Sequence, residues 1–147
     1  MRDLEKGSAG AQRPGTAGQV KTDRGFRALA HRLLEAWDEA EGAGFGYEFR
    51  WAPSGGKMAG VSAHAVDIPF AFDLLGVEGM EEVAGSNPPQ EVADAMHGSF
   101  VSFTRDLSPG WPQYLAGERA TMVFDIPSHV EYDPLALELE LWGHDGS

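Results

Sequence analysis

Met58-Ala59-Gly60-Val61-Ser62-Ala63-His64-Ala65-Val66-Asp67-Ile68-Pro69-Phe70-Ala71-Phe72 sets one imidazole in a run of small residues and follows it with an apolar-Pro-aromatic sequence. Just upstream, Phe45, Tyr47, Phe49 and Trp51 alternate with Gly44, Gly46, Glu48 and Arg50, the period-two pattern of a strand with one aromatic face. Burying four aromatic side chains stabilises a fold by roughly 1.5 to 3 kcal/mol each, but only where another layer covers them. Pro53, Ser54, Gly55 and Gly56 then break the strand and open the loop that holds His64. The imidazole thus follows directly on a strand with an aromatic face and a glycine-rich break.

The elements on either side fit that core. Upstream, Phe26, Leu29, Ala30, Leu33, Leu34 and Trp37 fall at helical spacing, with Thr22 or Asp23 available as N-cap and Gly42 as terminator. This predicts an amphipathic helix, with His31 at the boundary of its apolar stripe. Downstream of Phe72, Gly76, Gly79 and Gly85 mark a loop or short helix. Asn87 as cap, Pro88 after it and Gln90 three residues on form a variant capping box, opening a helix whose stripe of Val92, Met96, Phe100 and Phe103 runs to about Arg105. Thr121 to Phe124 and His129 to Tyr132 flank Ile126-Pro127-Ser128 as a short hairpin-like pair of strands. Asp133-Pro134 and the Leu, Ala and Glu content beyond it predict a terminal helix.

Residues 1–20 are rich in Gly, Ala, Ser, Gln and charge without a period that could bury a face, and read as a disordered tail. Gly7-Ser8-Ala9-Gly10 within it looks like part of a nucleophile elbow. However, Lys6 stands two before Ser8 and no buried strand precedes it, so a linker is the better reading.

Taken together, the His64 loop with its Ile68-Pro69-Phe70 run, the stretch Ala93 to Phe103 and the stretch Trp111 to Asp125 resemble the C-terminal segment of type-B carboxylesterases, over roughly Lys21 to Trp142. One departure precedes the histidine: Val61 stands where the family usually places Gly, with Gly60 one position further back. The resemblance implies the C-terminal portion of an α/β-hydrolase fold: amphipathic helix, core strand, histidine loop, long covering helix, short hairpin and terminal helix. Residues 21–147 are its extent. It also implies that His64 is the triad base.

Ester hydrolysis in that fold needs a serine whose proton the imidazole takes, a carboxylate that fixes the imidazole, and amides that hold the oxyanion. The chain order is serine, acid, histidine. Only 63 residues precede His64, and they contain neither Gly-x-Ser-x-Gly nor a glycine-rich oxyanion loop. The expectation is therefore a chain that contributes the histidine and is inactive in isolation. Asp67 has the wrong order for the triad acid; its expected role is to support the loop by hydrogen bonding to backbone amides. Ser62, two residues before His64, would need an exceptional bend to share a proton with it, and activity through Ser62 or Ser8 is the weakest reading.

Composition narrows the remaining classes. The 147 residues carry a formal charge of −12, and residues 1–30 hold six basic and three acidic groups, so the acidity lies in the rest. Such a surface repels phosphate backbones and anionic lipid, which argues against nucleic-acid and membrane partners and for a small neutral ester in the complete enzyme. The absence of cysteine removes thiol nucleophiles, disulfides and thiolate zinc sites. His64 and Asp67 with His97, His129 or His144 form no local metal motif such as His-Glu-x-x-His, so neither metal nor cofactor is expected. No signal peptide or spanning segment is visible, and the cytoplasm is the default location. The expected partner is a complementary N-terminal hydrolase polypeptide. The alternative is a non-catalytic interaction module that self-associates through an uncovered sheet edge or apolar face.

Overall fold

The computed structural model describes residues 26–53, 65–137 and 139. In chain order the elements are α1 (Ala28–Glu39), β1 (Gly46–Phe49), α2 (Ile68–Ala71), α3 (Glu81–Ala84), α4 (Gln90–Asp106), β2 (Ala120–Phe124) and β3 (His129–Tyr132). β1 pairs in parallel with β2, Gly46 opposite Thr121 and Phe49 opposite Phe124, and β2 pairs antiparallel with β3, Val123 opposite His129. The order β1-β2-β3 leaves the outer side of β1 as a sheet edge among the described residues. None of the described helices is long and apolar enough to cross a membrane.

Period-two alternation along β1 separates two chemically different faces. On one, Phe45, Tyr47 and Phe49 meet α4, α2 and the loop before β2: Phe45 packs on Phe103 and Trp111, Tyr47 on Phe100 and Phe124, and Phe49 on Phe70. Val92, Ala93 and Met96 of α4 close this layer, fully buried with Phe70 and Phe124. The covering that the aromatic strand requires is thus supplied within the chain. On the other face lie Gly46 and Glu48, backed by α1: a Cβ built on Gly46 would sit 3.3 Å from Leu34 of α1 and 3.3 Å from Tyr114.

α1 is joined to the sheet in a way its stripe does not predict. Its buried residues are Ala28 and His31, whereas Phe26, Leu29, Leu33 and Trp37 are 77%, 60%, 70% and 54% exposed. Leu34 lies against Gly44 and Gly46, and polar groups supply the remaining ties. His31 Nδ1 lies 2.9 Å from the hydroxyl of buried Tyr114, Glu35 pairs with Arg119 at 2.8 Å, and Asp38 accepts the Ala116 N–H at 2.8 Å. Arg27, at the N-cap position, pairs with Glu48 of β1. His31 is therefore a core residue, 8% exposed, and not the boundary residue its place beside the stripe predicts.

Other boundaries move for local reasons. α4 begins at Gln90 with Pro89 as its N-cap residue and no side-chain cap, because Asn87 takes a left-handed backbone (φ 56°) instead. The Gln90 amide does not close a capping box; it donates to Asp73 at 3.0 Å and Asp94 at 2.9 Å. The region after Phe72 resolves into turns and the single-turn α3. Beyond Pro134, Leu139 N–H donates to the Leu135 carbonyl at 2.8 Å, a helical bond in the position expected for a terminal helix. Thr22, Asp23 and the tail over residues 1–20 lie outside the described residues.

Burial holds the His31 imidazole below its ordinary value of 6.5, only partly offset by the charge of Glu35. The folded chain then binds fewer protons at His31 than the unfolded chain does. This stability is present above pH 6.5 and is lost as pH falls through 6.5 toward the lowered folded value. Urea titrations between neutral pH and about pH 5 should show falling stability, and His31→Gln should flatten the slope across that window.

Candidate functional site

β1 leads at its carboxyl end toward the His64 stretch, and the described chain resumes at Ala65. His64 itself, with Ser62, lies in residues 54–64, outside the described residues, as do Ser8 and His144. The two ends of that loop are described, and both are anchored. On the incoming side, Arg50 and Trp51 donate their N–H groups to the Phe124 carbonyl at 3.0 and 3.1 Å, and Pro53 is fully buried. On the outgoing side Ala65 takes φ 66°, Val66 is buried, and Pro69 and Phe70 of α2 are enclosed.

Three rings tie these ends together. Phe70 stands 5.0 Å from Phe49 and 5.2 Å from Trp51, and Phe49 and Trp51 meet edge to face at 6.5 Å. Tilted contacts at these separations are favourable beyond the area they bury. Proline at the start of α2 costs no hydrogen bond there and fixes the backbone that aims Phe70 into the stack. Gly85 supports the incoming end from below: its φ is +77°, and a Cβ there would come within 2.5 Å of the Pro53 side chain.

Asp67 precedes α2, and its carbonyl accepts the N–H groups of Phe70 at 3.1 Å and Ala71 at 2.9 Å. Its carboxylate makes no side-chain cap. Instead it accepts a hydrogen bond from the Tyr47 hydroxyl of β1. Burial first, and then the charge and hydrogen bond of Asp67, hold the Tyr47 phenol above its usual range. The phenol therefore stays protonated and ties the outgoing end of the loop to the strand. The sequence treats Tyr47 only as part of an apolar face; the available signal was a hydroxyl on a half-exposed strand position.

The described histidines are all engaged elsewhere. His31 bonds Tyr114, whose phenol is pushed up to about 12 by burial and then by the charge of Glu35. His97 donates from Nδ1 to the Ala71 carbonyl at 3.0 Å, fastening α4 to the end of α2. His129 lies 2.9 Å from the Pro127 carbonyl and 3.0 Å from Glu131, on the exposed β3 edge. Arg50 bridges Glu48 and Glu131 at 2.8 Å each, a surface charge network across the sheet. Among the described residues no group of three or more His, Asp and Glu could hold a metal ion. Beside the open edge of β1 runs an apolar groove of about 370 Å³, lined by Phe45, Tyr47, Phe100, Phe103 and Trp111.

Comparison with known proteins falls on the same region of the fold. Over 96 residues, 60% of this chain, the sequence is 28% identical to the para-nitrobenzyl esterase of Bacillus subtilis (strain 168), covering 19% of that protein. The carboxylesterase EST55 of Geobacillus stearothermophilus superposes on 90% of this chain with a TM-score of 0.72 and 27% identity. Both sequence and fold are similar to those of carboxylesterases. An esterase from Clostridium hathewayi described as able to hydrolyse aliphatic aromatic polyesters also matches, with a TM-score of 0.65 and 25% identity over 81% of this chain. No family model matches the sequence. The carboxylesterase-like chain spans 29% of the EST55 chain and 24% of the Clostridium hathewayi one. Its small mixed sheet between helices is a partial α/β-hydrolase fold.

Gly85→Ala tests the support beneath the loop. The side chain must enter the space held by Pro53 from a backbone that disfavours it. The expected loss is about 1 to 3 kcal/mol of stability by urea unfolding, as for other overpacked positions. A variant as stable as the parent would show that this contact does not constrain Pro53.

Proposed function

We propose that this chain is the C-terminal part of a carboxylic ester hydrolase and supplies its triad histidine, His64. The observation that supports this most directly is the anchoring of both ends of the His64 loop by Phe49, Trp51 and Phe70, in a segment whose sequence is similar to an esterase. The hydrogen bonds already made by His31, His97 and His129 leave His64 as the better base candidate.

In the complete enzyme His64 takes the proton of an attacking serine hydroxyl, and the serine oxygen bonds the ester carbonyl carbon. The imidazolium then returns the proton to the departing alcohol, leaving an acyl-serine. Water repeats the sequence to release the acid. The serine, the triad acid and the oxyanion donors come from a complementary hydrolase polypeptide. Asp67, turned to Tyr47, supports the loop. A small neutral ester suits the acidic body of this chain.

The test joins the purified chain to the upstream portion of the Bacillus subtilis para-nitrobenzyl esterase, lacking the stretch matched here, and follows hydrolysis of a para-nitrophenyl ester. Activity should rise on mixing and fall by roughly 10⁴-fold or more with His64→Ala, as for removal of a triad member. Activity that survives His64→Ala would refute the assignment. The isolated chain should take up no serine-directed fluorophosphonate by intact mass; an adduct would reveal an activated serine of its own and overturn the proposed division of labour.

A second reading, a non-catalytic self-associating module, is favoured by the outward apolar ridge of α1.

A further inference from the structure

Val130 of β3 packs against the core, so by the alternation of a strand its neighbours His129 and Glu131 share the opposite face of the sheet. On that face His129 stands opposite Val123 of β2, and Val123 stands opposite Glu48 of β1. Charged side chains span the row above Val123. Arg50 pairs with Glu48 on one side and Glu131 on the other, each at 2.8 Å. The Glu131 oxygen that takes the Arg50 Nη1, Oε1, also faces His129 Nε2 at 3.0 Å. The second ring nitrogen, Nδ1, faces the Pro127 carbonyl at 2.9 Å.

Both groups that face the ring are acceptors. The Pro127 carbonyl oxygen has no proton to give, and the Glu131 carboxyl is held below its usual range by the Arg50 hydrogen bond, joined by that of His129 and only partly offset by burial. A neutral imidazole carries one N–H and one lone pair, so it satisfies one of these acceptors and turns its lone pair on the other. Only the imidazolium, with an N–H on each nitrogen, makes both bonds.

We infer that His129 is a proton-operated clasp on the β2–β3 turn: as imidazolium it ties the Pro127 carbonyl to Glu131 of β3, and loss of one ring proton releases one of the two ties. The other bonds of this turn, Ser128 Oγ to the Asp125 carbonyl at 3.0 Å and the Ile126 N–H to the Asp125 carboxylate at 2.8 Å, stay within it and do not reach the strand beyond. The charged groups that face the ring are Glu131 on the same strand and Arg50 just after β1. The Pro127 carbonyl first, and then Glu131, hold the imidazole above its ordinary value of 6.5, with Arg50 opposing. The contribution of the clasp is therefore present below pH 6.5 and is lost as pH rises through the folded value, opposite in sign to that of His31. The ring is exposed and its charge is screened, so the turn reports this titration more sharply than global stability does. The inference does not depend on whether the chain takes part in ester hydrolysis.

The test is a titration of the histidine ring signals of the full chain by NMR from pH 5 to 9, with His129→Thr identifying the His129 signal among the five histidines. Its midpoint should lie above 6.5, and Glu131→Gln should bring it down toward 6.5. Glutamine keeps the shape of the partner while removing its charge, and its amide can donate to a neutral ring. Amide protection over residues 128–130, corrected for the intrinsic pH dependence of exchange, should fall roughly twofold or more as pH rises through the midpoint, the net worth of one weak hydrogen bond. In H129T the protection should stay at the lower level at every pH. Both substitutions lie on the sheet face away from the core and should leave the circular dichroism unchanged. A His129 midpoint at or below 6.5, a midpoint that E131Q leaves in place, or protection that ignores the titration would overturn the assignment.

Discussion

The Phe70 ring, closed in between Phe49 and Trp51, is the contact on which the described fold depends. It joins a strand residue, the first residues after the strand and the first turn after the loop, three points that are far apart along the chain. With Phe70 in place, Val66 and Pro69 are buried and α2 is fixed. His97 then fastens α4 to the α2 carbonyl at Ala71, and α4 presents Val92 and Met96 to the sheet. The parallel pairing of β1 with β2 is possible because this intervening chain carries the backbone across the sheet, as parallel pairs require.

The two faces of the small sheet are held by different physics. On the aromatic face, burial of rings and aliphatic groups supplies a non-directional attraction proportional to area. On the opposite face, α1 touches the sheet through Leu34 against Gly44 and Gly46, and its other ties are a histidine–tyrosine hydrogen bond, ion pairs and an accepted backbone N–H, interactions whose net worth is small and which depend on geometry. A helix attached largely by polar groups is free to turn its apolar side outward. Among the described residues, Leu29, Leu33 and Trp37 of α1 are exposed and the outer side of β1 is a sheet edge.

The chain on either side of residues 54–64 is fixed in the aromatic core: Trp51 and Pro53 are buried before it, and Val66, Pro69 and Phe70 after it. The Tyr47–Asp67 contact adds a polar tie at the outgoing end, and the raised phenol keeps its proton through the neutral range. The groove beside β1 is apolar on the side facing α4.

Much of the architecture was legible in the residues. The alternating aromatics gave β1, the Val92-Met96-Phe100 stripe gave α4, and the strands around Ile126-Pro127-Ser128 gave the hairpin, because burial imposes its period directly on sequence. The resemblance to carboxylesterases was legible too, since it rests on the order of short motifs. Capping at Asn87 was not, because the backbone there enters a left-handed turn set by its neighbours. The sequence by itself determined which residues are apolar and at what spacing, and hence the elements, and its short motifs carried the resemblance to carboxylesterases. Only the tertiary structure decided which side of α1 faces the sheet and that Asp67 turns to Tyr47. A helical period marks an apolar side without saying what lies against it, and a hydrogen bond between residues twenty positions apart exists only once packing has brought them together.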